Sequence, residues 1–151
     1  NMLQPVRYQK GEYMISTDPA LLDIQRIHQY LSTESYWAKG IPFEKVKRSI
    51  EHSLNFGVYH QNDFAGFARI ISDYTTVAYL GDVFILPGHR GKGLSKWLME
   101  IIMQHPDVQG LRRWILLTGD AHELYKKYGW VSIKDPSRWM ELHNKDVYVQ
   151  H

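Results

Sequence analysis

The segment from Val77 to Leu117 constrains the fold more than any other part of the sequence. An apolar run over Val77–Ile85 predicts a strand, and Leu94–Met103 has apolar residues at helical spacing. Trp114–Leu117 is a short apolar run of the kind found in buried strands. A strand, a helix and a second strand in this order form a right-handed crossover between parallel strands. The chain is therefore expected to contain a sheet with at least one parallel pair.

Two helices are predicted before this unit, and each begins at a proline. Asp18 caps the first helix, with Pro19 at its first position, and Pro42 opens the second. The stretch Ser32–Gly40 between them has no clean period, which is typical of a loop. Further strands are predicted at Tyr13–Ser16, Phe56–His60, Phe64–Ile71, Trp130–Ile133 and Trp139–Leu142.

A short helix over His122–Tyr128 is predicted after the second parallel strand. Asp120 and Glu123 form a capping box at its start, and Gly129 ends it. The element order is therefore β-α-α-β-β-β-α-β-α-β-β. Consecutive strands in the middle of the chain predict an antiparallel portion. The fold class is an α/β three-layer or α+β domain with a mixed sheet.

Composition excludes several classes of protein. Cysteine is absent from the 151 residues, which excludes disulfides, zinc–thiolate and iron–sulfur sites and a cysteine nucleophile, and which fits a cytoplasmic location. The 18 lysines and arginines nearly balance the 16 acidic residues, so no nucleic-acid partner is expected. No apolar run reaches the roughly 18 residues of a membrane helix, and Asn1–Lys10 lacks a signal-peptide core. We expect one domain over residues 1–151, in which Asn1, ahead of Met2, is a remnant of cloning.

Eight histidines raise the question of a metal site. The spacings H-x-x-x-H and H-E-x-x-H, which place two imidazoles on one helix face, do not occur. No metal is therefore expected. Serine-hydrolase chemistry is also disfavoured, because the sequence has no G-x-S-x-G turn.

The turn between the first parallel strand and its helix has the features of an anion site. Gly91 and Gly93 let the backbone come close to a ligand, and the first amides of the following helix lack intrahelical partners. The helix dipole and the side chains of Arg90, Lys92 and Lys96 add positive charge. This arrangement favours a phosphate group.

Three interpretations of this turn compete. A Walker A loop needs lysine after its second glycine, but Leu94 follows Gly93. A dinucleotide-binding fingerprint needs a third glycine where Lys96 stands. The remaining alternative is a glycine turn at a helix start that binds no ligand.

The same segment resembles the acetyl-CoA-binding motif of the GCN5-related N-acetyltransferases (GNAT). That motif has arginine or glutamine, two residues, glycine, one residue, and glycine or alanine; here it is Arg90–Ser95, with Ser95 as the departure. Asp82–Pro87 is similar to the family's preceding strand, and Leu124–Trp130 is similar to its Leu-Tyr-x-x-x-Gly-Phe motif. Thr118 stands where many members have asparagine. The element order also resembles that of the family.

The resemblance implies a mostly antiparallel central sheet with helices on both faces, and acetyl-CoA as the donor. The pyrophosphate is expected on the amides of the glycine turn, and the pantetheine arm along the backbone of the preceding strand. A backbone N–H near Phe84 or Ile85 is expected to stabilise the charge on the thioester oxygen; the side chains of these two residues are expected in the core. The implied donor-binding residues are Val83, Phe84, Ile85, Arg90, Gly91, Lys92, Gly93, Leu94, Ser95, Lys96 and Thr118.

Two residues are candidates for proton transfer. Tyr125 matches the family's general acid, with Tyr128 as the fallback; the alternative is a buried ring whose hydroxyl has a backbone partner. Asp82, an acid inside an apolar strand, is the candidate base, acting through water or anchoring the ammonium group. The alternative for Asp82 is a strand-edge carboxylate in solvent.

Tyr36, Trp37, Asp73 and Tyr74 fall in segments where the family shapes its acceptor pocket. Aromatic rings with an acid suit a cationic amine, although packing within loops is the alternative. The resulting hypothesis is transfer of an acetyl group to a primary amine of a small molecule, within a ternary complex. The alternative is a non-catalytic sensor that binds acyl-CoA. The choice between acetyl and longer acyl donors, and between a monomer and a homodimer, stays open.

Overall fold

A computed structural model describes residues 4–149 as a mixed six-stranded sheet with helices on both faces. Asn1, predicted to be a remnant of cloning, lies outside the described residues. The order of strands in the sheet follows their order in the chain. The strands are β1 Arg7–Lys10, β2 Tyr13–Ser16, β3 Leu54–His60, β4 Asp63–Ser72, β5 Val77–Ile85 and β6 Arg113–Leu116.

The sheet is antiparallel except at one pair. Strands β1 to β5 pair successively as antiparallel neighbours. The last pair, β5 and β6, is parallel, from Val77 opposite Arg113 to Leu80 opposite Leu116. The predicted crossover unit and the mixed, mostly antiparallel sheet are therefore confirmed.

The helices cover the sheet from both sides. The α-helices of the described chain are α1 Ile24–Gln29, α2 Phe43–Glu51, α3 Leu94–Gln104 and α4 His122–Lys126. Helix α3 buries Trp97, Leu98 and Ile102 in one core cluster. Helices α1 and α2 bury Ile27 and Val46 in a second cluster on the opposite face, together with inward-facing residues of β4 and β5.

The first predicted helix is divided in two. The Asp18 carboxylate accepts from the Ala20 amide at 3.0 Å and starts a short 3₁₀ turn, as predicted, but the turn ends at Leu21. The carboxylate of Asp23 then accepts from the Arg26 amide at 3.0 Å and begins α1. A second capping residue thus restarts the helix five residues further along the chain.

Two predictions at the C-terminal end are wrong. Trp130–Ile133 and Trp139–Leu142 form no strands; residues 131–147 are irregular and exposed, apart from a 3₁₀ turn over Pro136–Arg138. The capping box at α4 is also absent, since Ala121 occupies the N-cap and Glu123 pairs with Lys126. Strand β1 was missed because its polar residues show no apolar alternation.

No helix in the described part of the chain combines the length and the apolar character needed to cross a bilayer.

Candidate functional site

A β-bulge interrupts the pairing of β4 and β5 beside Asp82. Arg69 lies opposite Gly81 and Phe67 lies opposite Phe84, so β5 carries an extra residue across this interval. Asp82 has a φ of +51°, a left-handed conformation that non-glycine residues rarely adopt. Such a conformation persists where surrounding contacts hold it.

Beyond the bulge, the edge of β5 that faces β6 is open. Parallel pairing with β6 ends at Leu80, so no described strand pairs with Val83, Phe84 and Ile85 on that side. The side chains of Phe84 and Ile85 are buried, and Phe84 stacks on Tyr30 with ring centroids 4.0 Å apart. Core packing of these side chains is as predicted. Their backbone is available to an extended ligand that pairs as an added strand would.

The turn after β5 forms a cradle at the start of α3. Gly91 and Gly93 have φ values of +79° and +75°, and Gly93 is the N-cap of α3. A side chain at either position would meet no atom within 4 Å, so the backbone conformation itself requires glycine here. Leu94, Ser95 and Lys96 follow in the first turn of α3, where free amides and the helix dipole favour an anion.

A cavity of about 330 Å³ lies between this cradle, the end of β5 and α4. Its lining residues are Ile85, His89, Arg90, Gly91, Gly93, Leu94, Ser95, Lys96 and Leu124. Sequence reasoning gave no role to His89 or Leu124. The hydroxyl of Tyr13 lies 2.9 Å from Nδ1 of His89 and fixes its orientation. Tyr13 and His89 are 76 positions apart, so no local sequence pattern indicates this contact.

The three cationic side chains of the cradle differ in whether they already have hydrogen-bond partners. Arg90 donates from Nε to the Ile85 carbonyl at 2.9 Å and from Nη2 to the Tyr30 hydroxyl at 3.2 Å. These bonds anchor the turn to the end of β5. The ammonium groups of Lys92 and Lys96 are exposed and have no partner among residues 4–149, so they are available to a phosphate.

Tyr125 is a buried residue of α4, directly after Leu124 of the cavity lining. Its hydroxyl has no hydrogen-bond partner within the described chain, which removes the alternative of a backbone partner there. Burial, followed by the nearby Tyr36 and Asp120, raises the pKa of Tyr125 to about 12. The phenol therefore keeps its proton at neutral pH. The fallback residue, Tyr128, donates its hydroxyl to the Lys96 carbonyl at 3.0 Å.

The carboxylate of Asp82 is engaged on both oxygens. Oδ2 accepts from Nε of Arg69 at 2.9 Å, and Oδ1 accepts from Nε1 of Trp37 at 2.8 Å. The side chains of Asp82 and Arg69 are only 13% and 16% exposed. Nη1 of Arg69 also donates to the Ser53 hydroxyl at 3.0 Å. Asp82 is therefore not a strand-edge carboxylate in solvent, and its contacts hold the strained backbone at the bulge.

Arg69 was missed by sequence reasoning, although a signal was present. It is the only charged residue of the apolar stretch Phe64–Ile71. A charge in such a strand needs a partner, and Asp82 is the acid of the neighbouring strand.

The loop carrying Tyr36 and Trp37 crosses the opening between β5 and α4. Trp37 reaches Asp82 of β5, while the Tyr36 hydroxyl accepts from the Gly119 amide at 2.7 Å, in the loop after β6. The two rings meet edge to face with centroids 5.0 Å apart. Thr118, predicted to contact the donor, accepts with Oγ1 from the Ala121 amide at 3.0 Å and so positions α4.

Asp73 and Tyr74 are not brought together with these residues. Asp73 lies in the β4–β5 turn, and its carboxylate accepts from the amides of Thr75, Thr76 and Val77 and from the Thr76 hydroxyl. These bonds hold the pKa of Asp73 well below its usual value. The turn precedes β5, whereas the bulge lies roughly 17 Å further along at about 3.3 Å per residue. Asp73 and Tyr74 therefore belong to the opposite end of the strand.

No group of three or more histidine, aspartate, glutamate or cysteine side chains in the described chain is arranged to hold a metal ion.

Comparison with known proteins gives a consistent result at two levels. The sequence profile of the Acetyltransferase (GNAT) family matches residues 24–130. A protein of Gibberella zeae named putative acetyltransferase is 33% identical over 149 residues, which cover 84% of this chain and 83% of that protein.

Solved structures resemble the whole fold. A putative GNAT-family acetyltransferase from Xanthomonas campestris pv. campestris is 51% identical, with a TM-score of 0.89 over 91% of this chain and 97% of that chain. A predicted acetyltransferase from Clostridium acetobutylicum, solved with acetyl-CoA, is 15% identical, with a TM-score of 0.59 over 94% of this chain and 96% of that chain. The second likeness concerns the fold alone.

Proposed function

The chain belongs to the acetyltransferase (GNAT) family, and on that premise we propose that it is an acetyl-CoA-dependent N-acetyltransferase. It transfers the acetyl group directly to a primary amine of a small molecule, within a ternary complex. One observation carries the proposal. The phosphate cradle and Ile85, at the end of the free edge of β5, line one cavity, and Tyr125 directly follows Leu124 of the same lining. The proposed location is the cytoplasm, a reducing compartment that the absence of cysteine fits.

The donor site follows the opening from the cradle toward the bulge. The amides after Gly93 and the ammonium groups of Lys92 and Lys96 bind the phosphates. The pantetheine arm then pairs with the backbone of Val83 to Ile85, as an added strand would. An N–H near Phe84 or Ile85 donates to the thioester oxygen as negative charge develops there.

The chemical step needs one proton accepted and one donated. The neutral amine nitrogen attacks the thioester carbon, the carbon–sulfur bond breaks, and the thiolate leaves. Tyr125 donates its proton to that thiolate; the phenol carries this proton at neutral pH, with a pKa that burial raises to about 12. Water accepts one proton from the ammonium group before the attack. The second proton, which the nitrogen loses as the amide forms, returns through water to Tyr125. Asp82, whose two oxygens already accept hydrogen bonds from Arg69 and Trp37, holds the bulge and acts on the ammonium group through that water.

The acceptor approaches beneath the loop of Tyr36 and Trp37. This loop bridges Asp82 and Gly119, so it covers the opening where the thioester lies. The rings are 60% and 41% exposed and offer aromatic faces to a small cationic amine. Asp73 and Tyr74, at the far end of β5, are left out of the proposed acceptor site.

A second candidate function is a sensor that binds acyl-CoA without turnover. The engagement of both Asp82 oxygens favours it, because no free carboxylate base then borders the opening. The hydroxyl of Tyr125 favours the enzyme, because the residue follows Leu124 of the cavity lining and its hydroxyl has no hydrogen-bond partner within the described chain.

Two measurements test the proposal. Calorimetry of acetyl-CoA with Gly93→Val and Gly88→Val tests the cradle, since only Gly93 requires a positive φ and both positions are open. Weaker acetyl-CoA binding is expected for Gly93→Val alone. Equal affinities of the two variants would contradict phosphate binding at the cradle. Initial velocities with varied donor and amine test the ternary complex. Intersecting double-reciprocal plots are expected, and parallel plots would indicate a covalent relay.

A further inference from the structure

The outer edge of β6 is an unpaired edge of the sheet. Within the described chain β6 pairs only with β5, so its other side has no strand partner. Trp114, Ile115 and Leu116 are only half-buried, and Leu117 just after them is 78% exposed. Parallel strands are normally buried on both faces, and an apolar free edge is a site for pairing with another strand.

The C-terminal arm, which we define as residues 131–149, passes this edge without pairing with it. Just before the arm, Trp130 packs against Trp114 with ring centroids 5.9 Å apart. Within the arm, Trp139 lies 5.4 Å from the Arg113 guanidinium, and Tyr148 lies 5.3 Å from the Lys45 ammonium group on the other side of the sheet. The arm therefore runs around β6 from one face of the sheet to the other.

The arm exposes apolar side chains to an unusual degree. Met140 and Leu142 are 96% and 104% exposed, and Val131 is 72% exposed. These residues lie in the two segments that were predicted to be strands, Trp130–Ile133 and Trp139–Leu142. The indole N–H of Trp130, at the base of the arm, is buried with no acceptor among residues 4–149. Exposed apolar side chains in the arm, together with a buried donor without a partner at its base, indicate a missing contact surface.

We propose that this contact is made by a second copy of the chain, in a two-fold symmetric dimer. The arm of each copy lies along the free edge of β6 in the other copy. The two-fold symmetry forms this contact twice in each dimer. The arm and β6 together match the roughly 20–30 residues that each side of a standard interface contributes.

Charge favours a second copy over a different partner. The formal charge of the arm is zero, because three basic and three acidic residues alternate along it: Lys134, Asp135, Arg138, Glu141, Lys145 and Asp146. Glu141 stands between Met140 and Leu142, and Arg112 and Arg113 begin the β6 region. The acid of one arm therefore has basic side chains to meet at the edge of the partner.

The first experiment measures the molar mass of the full chain by light scattering over about a hundredfold dilution. Two chains per particle are expected for the natural sequence, and a single chain for the double variant Met140→Asp and Leu142→Asp. The matched control is Leu21→Asp, which changes an exposed leucine outside the arm and is expected to stay dimeric. A monomeric natural chain, or a dimer that survives both arm substitutions, would overturn the proposal.

A second experiment does not depend on the folding of the charged variant. Because the chain has no cysteine, one preparation can carry only Leu117→Cys and another only Met140→Cys. After mixing and mild oxidation, a disulfide between the two kinds of chain is expected well above the level given by Leu117→Cys mixed with Leu21→Cys. Equal yields would contradict pairing of the arm with the edge of β6.

Discussion

Removing the hydroxyl of Tyr125 separates the chemistry of this residue from its packing. Tyr125→Phe keeps the buried ring, and the lost hydroxyl has no hydrogen-bond partner within the described chain. The free energy of unfolding is therefore expected within about 1 kcal/mol of the unchanged protein. If Tyr125 protonates the leaving thiolate, kcat is expected to fall by about 10²–10⁴-fold. Acetyl-CoA affinity is expected to change little, because the phosphates bind elsewhere.

The assay follows release of the CoA thiol with a fixed amine, and urea denaturation gives the stability. Tyr128→Phe is the matched control, since its hydroxyl donates to the Lys96 carbonyl at 3.0 Å. That variant is expected to lose about 0.5–1.5 kcal/mol of stability and little kcat. Unchanged kcat in Tyr125→Phe would refute the reasoning, and a large loss confined to Tyr128→Phe would transfer the acid role to Tyr128.

Three further predictions rest on individual contacts. Asp82→Asn leaves the Arg69 guanidinium without its charge partner and is expected to lower the free energy of unfolding by about 3 kcal/mol in urea denaturation. Glu123→Gln, at an exposed ion pair, is expected to lower it by less than about 1 kcal/mol. Equal losses in the two variants would contradict the argument from burial. Because the pKa of Tyr125 is raised from 10.0 to about 12, its contribution to stability is complete below about pH 10 and is lost as pH rises toward 12. Tyr125→Phe is therefore expected to flatten the decline of the melting temperature between these pH values, and an unchanged decline would contradict this assignment. Because the pKa of Asp73 is lowered, its contribution to stability is present above the usual aspartate pKa of about 3.9 and is lost as pH falls below it. Asp73→Asn is expected to lower the melting temperature at neutral pH and leave turnover unchanged. A loss of turnover would show that Asp73 takes part in the acceptor site.

The features predicted correctly are those that neighbouring residues determine. The crossover from β5 through α3 to β6 follows from apolar periodicity, and the cradle follows from glycines at positions with φ near +75°. Both depend on short segments whose conformation changes little with the rest of the chain. The burial of Tyr125 could be expected for the same reason, since α4 packs its apolar side inward.

The features that sequence reasoning missed depend on distant pairing. The ion pair of Asp82 with Arg69 forms because two antiparallel strands place them side by side at a bulge. Asp73 was assigned to the acceptor pocket, yet β5 carries it away from Asp82 and its turn takes all of its hydrogen bonds. The predicted strand Trp139–Leu142 lies in the arm that passes the free edge of β6 without pairing with it, and the residues of the segment alone do not indicate this.

The central claim is amine-dependent transfer from acetyl-CoA, and product analysis tests it most directly. The purified protein is mixed with acetyl-CoA and, one at a time, with a range of small primary amines. Free CoA thiol and acetylated amine are then measured in the same sample by mass spectrometry. The account predicts equal amounts of the two products with at least one amine, and formation of both at least about a hundredfold slower with Tyr125→Phe. Tight binding of acetyl-CoA, with thiol release that no amine increases, would contradict the account and favour the sensor.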